Sequence, residues 1–172
     1  MDGPDGWWSY TRSGTKICRQ KRQAGGGGIM VWGMILPTGE IICRTMEGRQ
    51  NSEKYKDLVA NFAVPHINSK LGDDFIFQQD NCPIHVSRLM KNFFDESGIQ
   101  VLNWPARSPD INIIENVWQM IALEVYDGPS FKNKAMLQVK INDAVEKVNN
   151  EKKDSLKKLY ESMTDRLLSV IV

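Results

Sequence analysis

Hydrophobic positions along the chain change their period several times, and each change predicts an element. Residues 29–36 and 40–46 are rich in β-branched and aromatic side chains, and Pro37-Thr38-Gly39 separates them, which predicts a hairpin. From Ser52, apolar residues recur every three or four positions: Tyr55, Leu58, Val59, Phe62, Ala63, Ile67 and Leu71. That spacing predicts a helix with one core-facing stripe, kinked or broken at Pro65. Phe75-Ile76-Phe77 is a short apolar run that gives way to Asp80-Asn81 and then Pro83, the pattern of a buried strand that delivers an acid at its end. Residues 87–97 predict a helix burying Leu89, Met90, Phe93 and Phe94, and 99–102 a short strand. Ser108-Pro109-Asp110 then predicts the start of a helix, capped by Ser108 or Asp110, with Ile111, Ile114, Val117, Trp118 and Ile121 on its apolar face. Glu115 falls in its second turn, and the helix runs to about residue 126. Two amphipathic helices close the chain, and a strand is expected at 7–11. Strands alternating with helices in this order predict an α/β layered domain with a mixed sheet.

Composition narrows the class without choosing a function. With 172 residues, 41% hydrophobic and 25% charged, the chain suits one domain with a real core. A net charge of +1 gives no global attraction to nucleic acid, so any such attraction is local. No apolar run approaches the ~20 residues of a membrane helix, and the acidic, glycine-rich start does not read as a signal peptide. Cys18, Cys43 and Cys82 are odd in number and widely spaced, which suggests reduced thiols rather than a disulfide frame or a zinc site.

The candidate chemistry is a pair of carboxylates. Asp80 ends a strand, Glu115 sits on a helix, and 34 residues lie between them. Carboxylates are hard ligands preferred by magnesium and manganese, and two such ions can clamp the attacking and leaving oxygens of a phosphodiester. Taken as two acids alone, the plainer account is a turn former and a solvated helix residue. Arg12, Lys16, Arg19, Lys21 and Arg22 form a basic stretch without an acid, polar and irregular up to the four glycines at 25–28. It reads either as a solvated connector or as a loop that contacts phosphates. The glycines lack the following Lys-Ser or Lys-Thr of a nucleotide-binding loop.

Several stretches together resemble one family. Phe77-Gln-Gln-Asp80-Asn-Cys-Pro-Ile-His85, Asn103-Trp-Pro-Ala-Arg-Ser-Pro-Asp-Ile-Asn112 and Ile114-Glu-Asn-Val-Trp118 resemble the catalytic core of Tc/mariner superfamily transposases. The 34-residue gap is similar to the branch whose third acid is Glu. Gly25-Gly-Gly-Gly-Ile-Met-Val-Trp-Gly33 and Asp2-Gly-Pro-Asp-Gly-Trp7 agree with it. The resemblance implies an RNase H-like fold over residues 1–172 and metal-dependent cleavage and strand transfer of DNA, with Mg2+ or Mn2+ held by Asp80 and Glu115. It implies supporting roles for Asn81, Asn112 and His85, the last not as a metal ligand, and a clamp-like loop at 12–28 through which Arg12, Lys16, Arg19, Lys21 and Arg22 reach DNA or a partner subunit. DNA, a homodimer or protein partner and a nuclear location follow from the same resemblance.

The chain also departs from the family pattern. The family's first acid precedes the Gly-Pro-Asp-Gly-Trp stretch, so a chain starting at Met1-Asp2-Gly3 is expected to be N-terminally truncated, lacking that strand and the DNA-reading region. Asp2 and Asp5 match the following loop and do not take the role. Asn112-Ile113-Ile114-Glu115 stands where Asn-Pro-Ile-Glu is usual, which removes the proline that would fix the first helical turn, and Cys82 replaces a small residue. The expectation is therefore an inactive catalytic core with weak or absent metal binding. The alternative is a domesticated, non-catalytic module for dimerisation, protein binding or DNA tethering. The Trp-Pro-Ala-Arg-Ser-Pro-Asp text argues against a ribonuclease H. His66 reads as structural, and Trp104 and Trp118 as core.

Overall fold

The hairpin expected from the two β-rich runs forms β3 (Met30–Ile35) and β4 (Ile41–Met46), paired antiparallel with Gly33 opposite Cys43. In this computed structural model the residues described are 8–10, 16–18, 28–105, 108, 111–127 and 131–171. The hairpin divides the core in two because alternate strand residues face opposite ways. Trp32, Met34, Leu36, Ile42 and Met46 enter a cluster with Tyr55, Leu58, Val59, Phe77, Met90 and Phe94. Val31, Ile35, Ile41 and Cys43 enter another with Val117, Ile121, Val125, Ala144, Val148 and Leu156. Both faces of the hairpin are thus covered, which explains why its strands read as nearly continuous apolar runs.

The first layer begins with α1 (Ser52–Leu58), whose N-cap Asn51 accepts from Lys54 N–H. The helix does not break at Pro65. A π-helical turn, Val59–Ala63, leads directly into α2 (Val64–Leu71), and the junction residues stay right-handed helical. Pro65 has no N–H, and its ring would crowd the carbonyl four residues back. The wider turn, closed by Val64 N–H to Val59 C=O, absorbs both defects. His66 is structural as expected: its Nδ1 lies 2.7 Å from Phe62 C=O, and its ring packs on Phe62.

The acid-bearing strand β5 (Ile76–Phe77) pairs parallel with β6 (Gln100–Val101), and α3 (Arg88–Glu96) connects them. Met90 and Phe94, one turn apart, take the core side of α3, so Leu89 turns outward at 36% exposure rather than being buried. The second layer is α4 (Ile113–Val125), α5 (Lys134–Glu151) and α6 (Lys153–Glu161), followed by α7 (Met163–Ile171). The last predicted helix is therefore two, interrupted at Ser162, whose hydroxyl donates to Leu159 C=O. Asn149 on α5 ties the layer to the hairpin edge: it accepts from Ile41 N–H and donates to Ile41 C=O, both at 2.8 Å.

Two further details differ from expectation. The span read as irregular contains a strand, since β2 (Lys16–Cys18) pairs antiparallel with β1 (Trp8–Tyr10). Backbone pairing satisfies a short extended stretch that composition alone left open. The mixed pairing is present, but among the described residues the ladders are three separate two-stranded pairs. No helix among those residues is long and apolar enough to cross a membrane.

Candidate functional site

β5 lasts only two residues because the chain after Phe77 turns polar: Gln78 and Gln79 spend their side chains outside the ladder. Tyr55 on α1 donates its hydroxyl to Gln79 Oε1 at 2.9 Å, and Gln79 Nε2 donates to His85 C=O at 3.1 Å. One glutamine therefore pins the strand end to α1 and to the turn that follows. Tyr55 is buried, and burial, followed by the nearby charge of Asp80, pushes its hydroxyl above the ordinary tyrosine range. The phenol stays neutral and remains a donor.

Asp80 leaves this frame exposed but oriented. The turn after it folds back, with His85 N–H and Val86 N–H both donating to Cys82 C=O. That brings His85 Nδ1 to 2.6 Å from Asp80 Oδ1, which also accepts from Cys82 N–H at 3.0 Å. The carboxylate accepts only, so the imidazole proton is assigned to Nδ1. The His85 ring in turn lies against Tyr55, with centroids 4.1 Å apart. Asp80's second oxygen makes no bond among the described residues, and half the side chain is exposed. Asn81 donates to Trp104 C=O at 2.9 Å, fastening the turn to the segment after β6.

The second acid arrives on α4, but not as the capping signal suggested. The helix starts at Ile113 with Asn112 in the N-cap position, so neither Ser108 nor Asp110 caps it, and Glu115 lies in the first turn rather than the second. Asp110 lies outside the described residues. Asn112 makes no capping bond because its Oδ1 accepts from Gln78 Nε2 at 3.3 Å, joining the β5 end to the start of α4. A carboxylate in a first turn is favoured by the unpaired N–H groups and the helix dipole there. Glu115 is exposed and its carboxylate has no partner among the described residues. One turn on, Trp118 packs against Gly33, where a side chain would stand 2.6 Å from the indole.

The two acids share one cleft. A cavity of about 260 Å³ is lined by Asp80, Asn81, Cys82, Trp104, Asn112 and Glu115, with Pro105 and Ser108 at its side. The sequence-chosen residues Asp80, Asn81, Asn112 and Glu115 thus converge, and His85 stands behind Asp80. Arg12, Arg19, Lys21 and Arg22 lie outside the described residues, and of Lys16 only the backbone in β2 is described. Tyr55, Gln78 and Gln79 were missed as site residues. The available signal was the pair of polar residues between an apolar strand and an acid.

The cleft suits a hard divalent cation. Its unshared donors are carboxylate oxygens, one after a strand end and one in a first helical turn, without a Lys or Arg partner among the described residues, and both side chains are exposed.

Comparison with known proteins places this geometry. Residues 7–138 match the model of the DDE superfamily endonuclease family. The chain is 35% identical over 174 aligned residues to the Tc3 transposable-element transposase of Caenorhabditis elegans, an alignment covering 99% of this chain and 52% of that protein. The chain therefore spans about half the length of that relative. The Mos1 transposase catalytic domain, solved with raltegravir and Mg, superposes with a TM-score of 0.67 at 15% identity, covering 93% of this chain and 76% of that one. The Mos1 transposase paired-end complex with its left transposon end gives 0.73 at 14% identity, covering 94% and 48%. These structural likenesses bear out the RNase H-like fold.

Proposed function

The chain belongs to the Tc/mariner branch of the DDE superfamily endonucleases, and we propose that Asp80 and Glu115 are the carboxylates with which it holds Mg2+ or Mn2+ against DNA phosphate. The observation that carries this is their convergence on one cleft from a strand end and a helix start. When bound, the cation would neutralise phosphate charge and activate an attacking oxygen. The chain's own residues supply position. His85 and the Cys82 N–H fix one oxygen of Asp80 and leave the other for the cleft. Gln79 and Tyr55 hold His85, and the Gln78–Asn112 bond sets the start of the Glu115 helix. Asn81, bonded to Trp104, keeps the acid's turn against the opposite wall.

DNA as substrate and a second subunit as partner are proposed from the relatives: Tc3 is a transposase and Mos1 was solved as a paired-end complex on a transposon end. The basic residues Arg12, Lys16, Arg19, Lys21 and Arg22 are the proposed contact with either, in the 12–28 loop of a single 1–172 domain. Action on genomic DNA would place the protein in the nucleus. Of the described residues lining the cleft two are carboxylates, few anionic donors for a pair of ions, and this polypeptide by itself is expected to bind the cation weakly and not to nick duplex DNA. That same donor count favours the second reading, a domesticated module for dimerisation, protein binding or DNA tethering.

Titrating Mn2+ into the 172-residue chain, followed by the loss of free-Mn2+ paramagnetic signal, tests the central claim. Asp80→Asn and Glu115→Gln should each weaken binding at least tenfold. Equal affinity in both variants would overturn the assignment, and nicking by the unaltered chain that Asp80→Asn abolishes would overturn the expected inactivity.

A further inference from the structure

The turn after β5 gathers a second and chemically different donor set. A ligand atom from each of Asp80, Cys82 and His85 lies within 4.8 Å of the other two. The closeness is built by the backbone: the fold-back onto Cys82 C=O sets Cys82 and His85 side by side. Gln79 then fixes the far end of the turn through His85 C=O. One carboxylate oxygen, one thiol sulfur and one imidazole nitrogen are the donors that zinc takes, and sulfur is a donor that magnesium declines.

We propose that Asp80, Cys82 and His85 form a Zn2+ site that shares Asp80 with the hard-cation cleft, so that zinc and Mg2+ or Mn2+ exclude one another. Tetrahedral zinc with bonds of about 2.0–2.3 Å separates its ligand atoms by about 3.3–3.6 Å. His85 Nδ1 would give up its proton, the neutral ring carrying one at Nε2 instead, the Cys82 thiol would release its proton to solvent, and the Asp80–His85 contact, now 2.6 Å, would open by about 0.7 Å to admit the ion. The thiol, within 4.8 Å of both partners, would close by no more than about 1.5 Å, within reach of side-chain rotation in a partly exposed turn. Three protein ligands leave the fourth position to water. With Asp80 turned toward His85 and Cys82, Glu115 would be left as the cleft's other carboxylate, and a hard cation would lose half its charged donors. Zinc capture by this set does not depend on the nuclease reading, whereas the exclusion of Mg2+ and Mn2+ rests on it.

Co2+ is the probe, since thiolate ligation gives it an intense near-ultraviolet charge-transfer band. Titrated into the reduced 172-residue chain, it should produce that band at one ion per chain. One equivalent of Zn2+ should remove the band, and a hundredfold excess of Mg2+ should leave it. Cys82→Ser should abolish the band and weaken Zn2+ binding at least tenfold. In the unaltered chain, Zn2+ should slow alkylation of Cys82, read by peptide mass mapping, and leave Cys18 unprotected. A band that survives Cys82→Ser, or alkylation of Cys82 at the same rate with and without Zn2+, overturns the inference. Either of these results can occur with Mn2+ binding at Asp80 and Glu115 intact, so the two readings fail separately.

Discussion

Gly33→Ala is a sharp test of how the hairpin positions the second acid. The substitution places a Cβ 2.6 Å from Trp118 Cη2, 3.1 Å from Cζ2 and 3.0 Å from Cys43 Sγ. Carbon contacts settle near 3.5–4.0 Å, so the indole must retreat by about 1 Å. Two effects compete. Alanine in a strand interior is favoured over glycine by about 0.5–1 kcal/mol, while overpacking a filled core costs about 1–3 kcal/mol. The indole is rigid and Val117 beside it is fully buried, so overlap should win with a net loss of about 1–2 kcal/mol. Trp118 lies one helical turn beyond Glu115, so its retreat should also tilt the first turn of α4 and lower Mn2+ affinity. Urea unfolding with and without Trp118→Phe completes a double-mutant cycle in which the smaller ring relieves the overlap, giving a favourable coupling of about 1 kcal/mol. A Gly33→Ala protein as stable as the unaltered chain, or one strictly additive with Trp118→Phe, would refute the reasoning.

Three other substitutions probe the supports of the site. Burial pushes the Cys43 thiol from 9.0 to about 12; its stabilising contribution is complete below pH 9 and is lost as pH rises toward 12, because the unfolded chain releases the proton first. Between pH 8 and 10 this should cost about 1.4 kcal/mol that Cys43→Ala does not lose, so equal pH dependence of the two urea midpoints would contradict it. Tyr55→Phe leaves Gln79 Oε1 without its donor and should lower stability by about 1–2 kcal/mol in chemical denaturation; a loss below a few tenths would show that the bond carries nothing. Asn149→Ala strips both backbone partners from buried Ile41 and should cost about 2–3 kcal/mol, with Asn149→Asp, which keeps only the acceptor, losing about half; a neutral Asn149→Ala would mean that water replaces the amide.

What the chain made legible follows from periodicity. The 52–71 helix and α5 repeat their apolar residues at three and four, the β3–β4 hairpin shows as two nearly continuous apolar runs split by a turn, and burial rewards each pattern. Asp80 and Glu115 were readable because the polar text around them is distinctive. The supports were not. Tyr55 looked like one more apolar helix position, yet its hydroxyl reaches Gln79 across 24 residues, and Gln78 meets Asn112 across 34. Side-chain bonds between distant elements leave no period in a sequence. The capping signal at Ser108 and Asp110 misled for a related reason: Asn112 took the N-cap position while its amide was engaged elsewhere. Pro65 marked a real irregularity, but its form, a local widening of the helix rather than a break, is invisible to a rule that counts only missing N–H groups.

The two acids also belong to different halves of the interior. Phe77, which carries the chain to Asp80, lies in the core cluster under α1 and α3. Val117 and Trp118, which carry Glu115, lie in the cluster under α5 and α6. Among the described residues only the β3–β4 hairpin feeds both clusters, so its thickness helps set how far apart the carboxylates stand. That is why a methyl group at Gly33, on no wall of the cleft, is expected to reach the cation. It also means that the acids themselves contribute little to the fold: both are exposed, and Glu115 has no partner among the described residues. A chain could lose either carboxylate and keep its structure, so the convergence of Asp80 and Glu115 on one cleft is not something that packing alone requires.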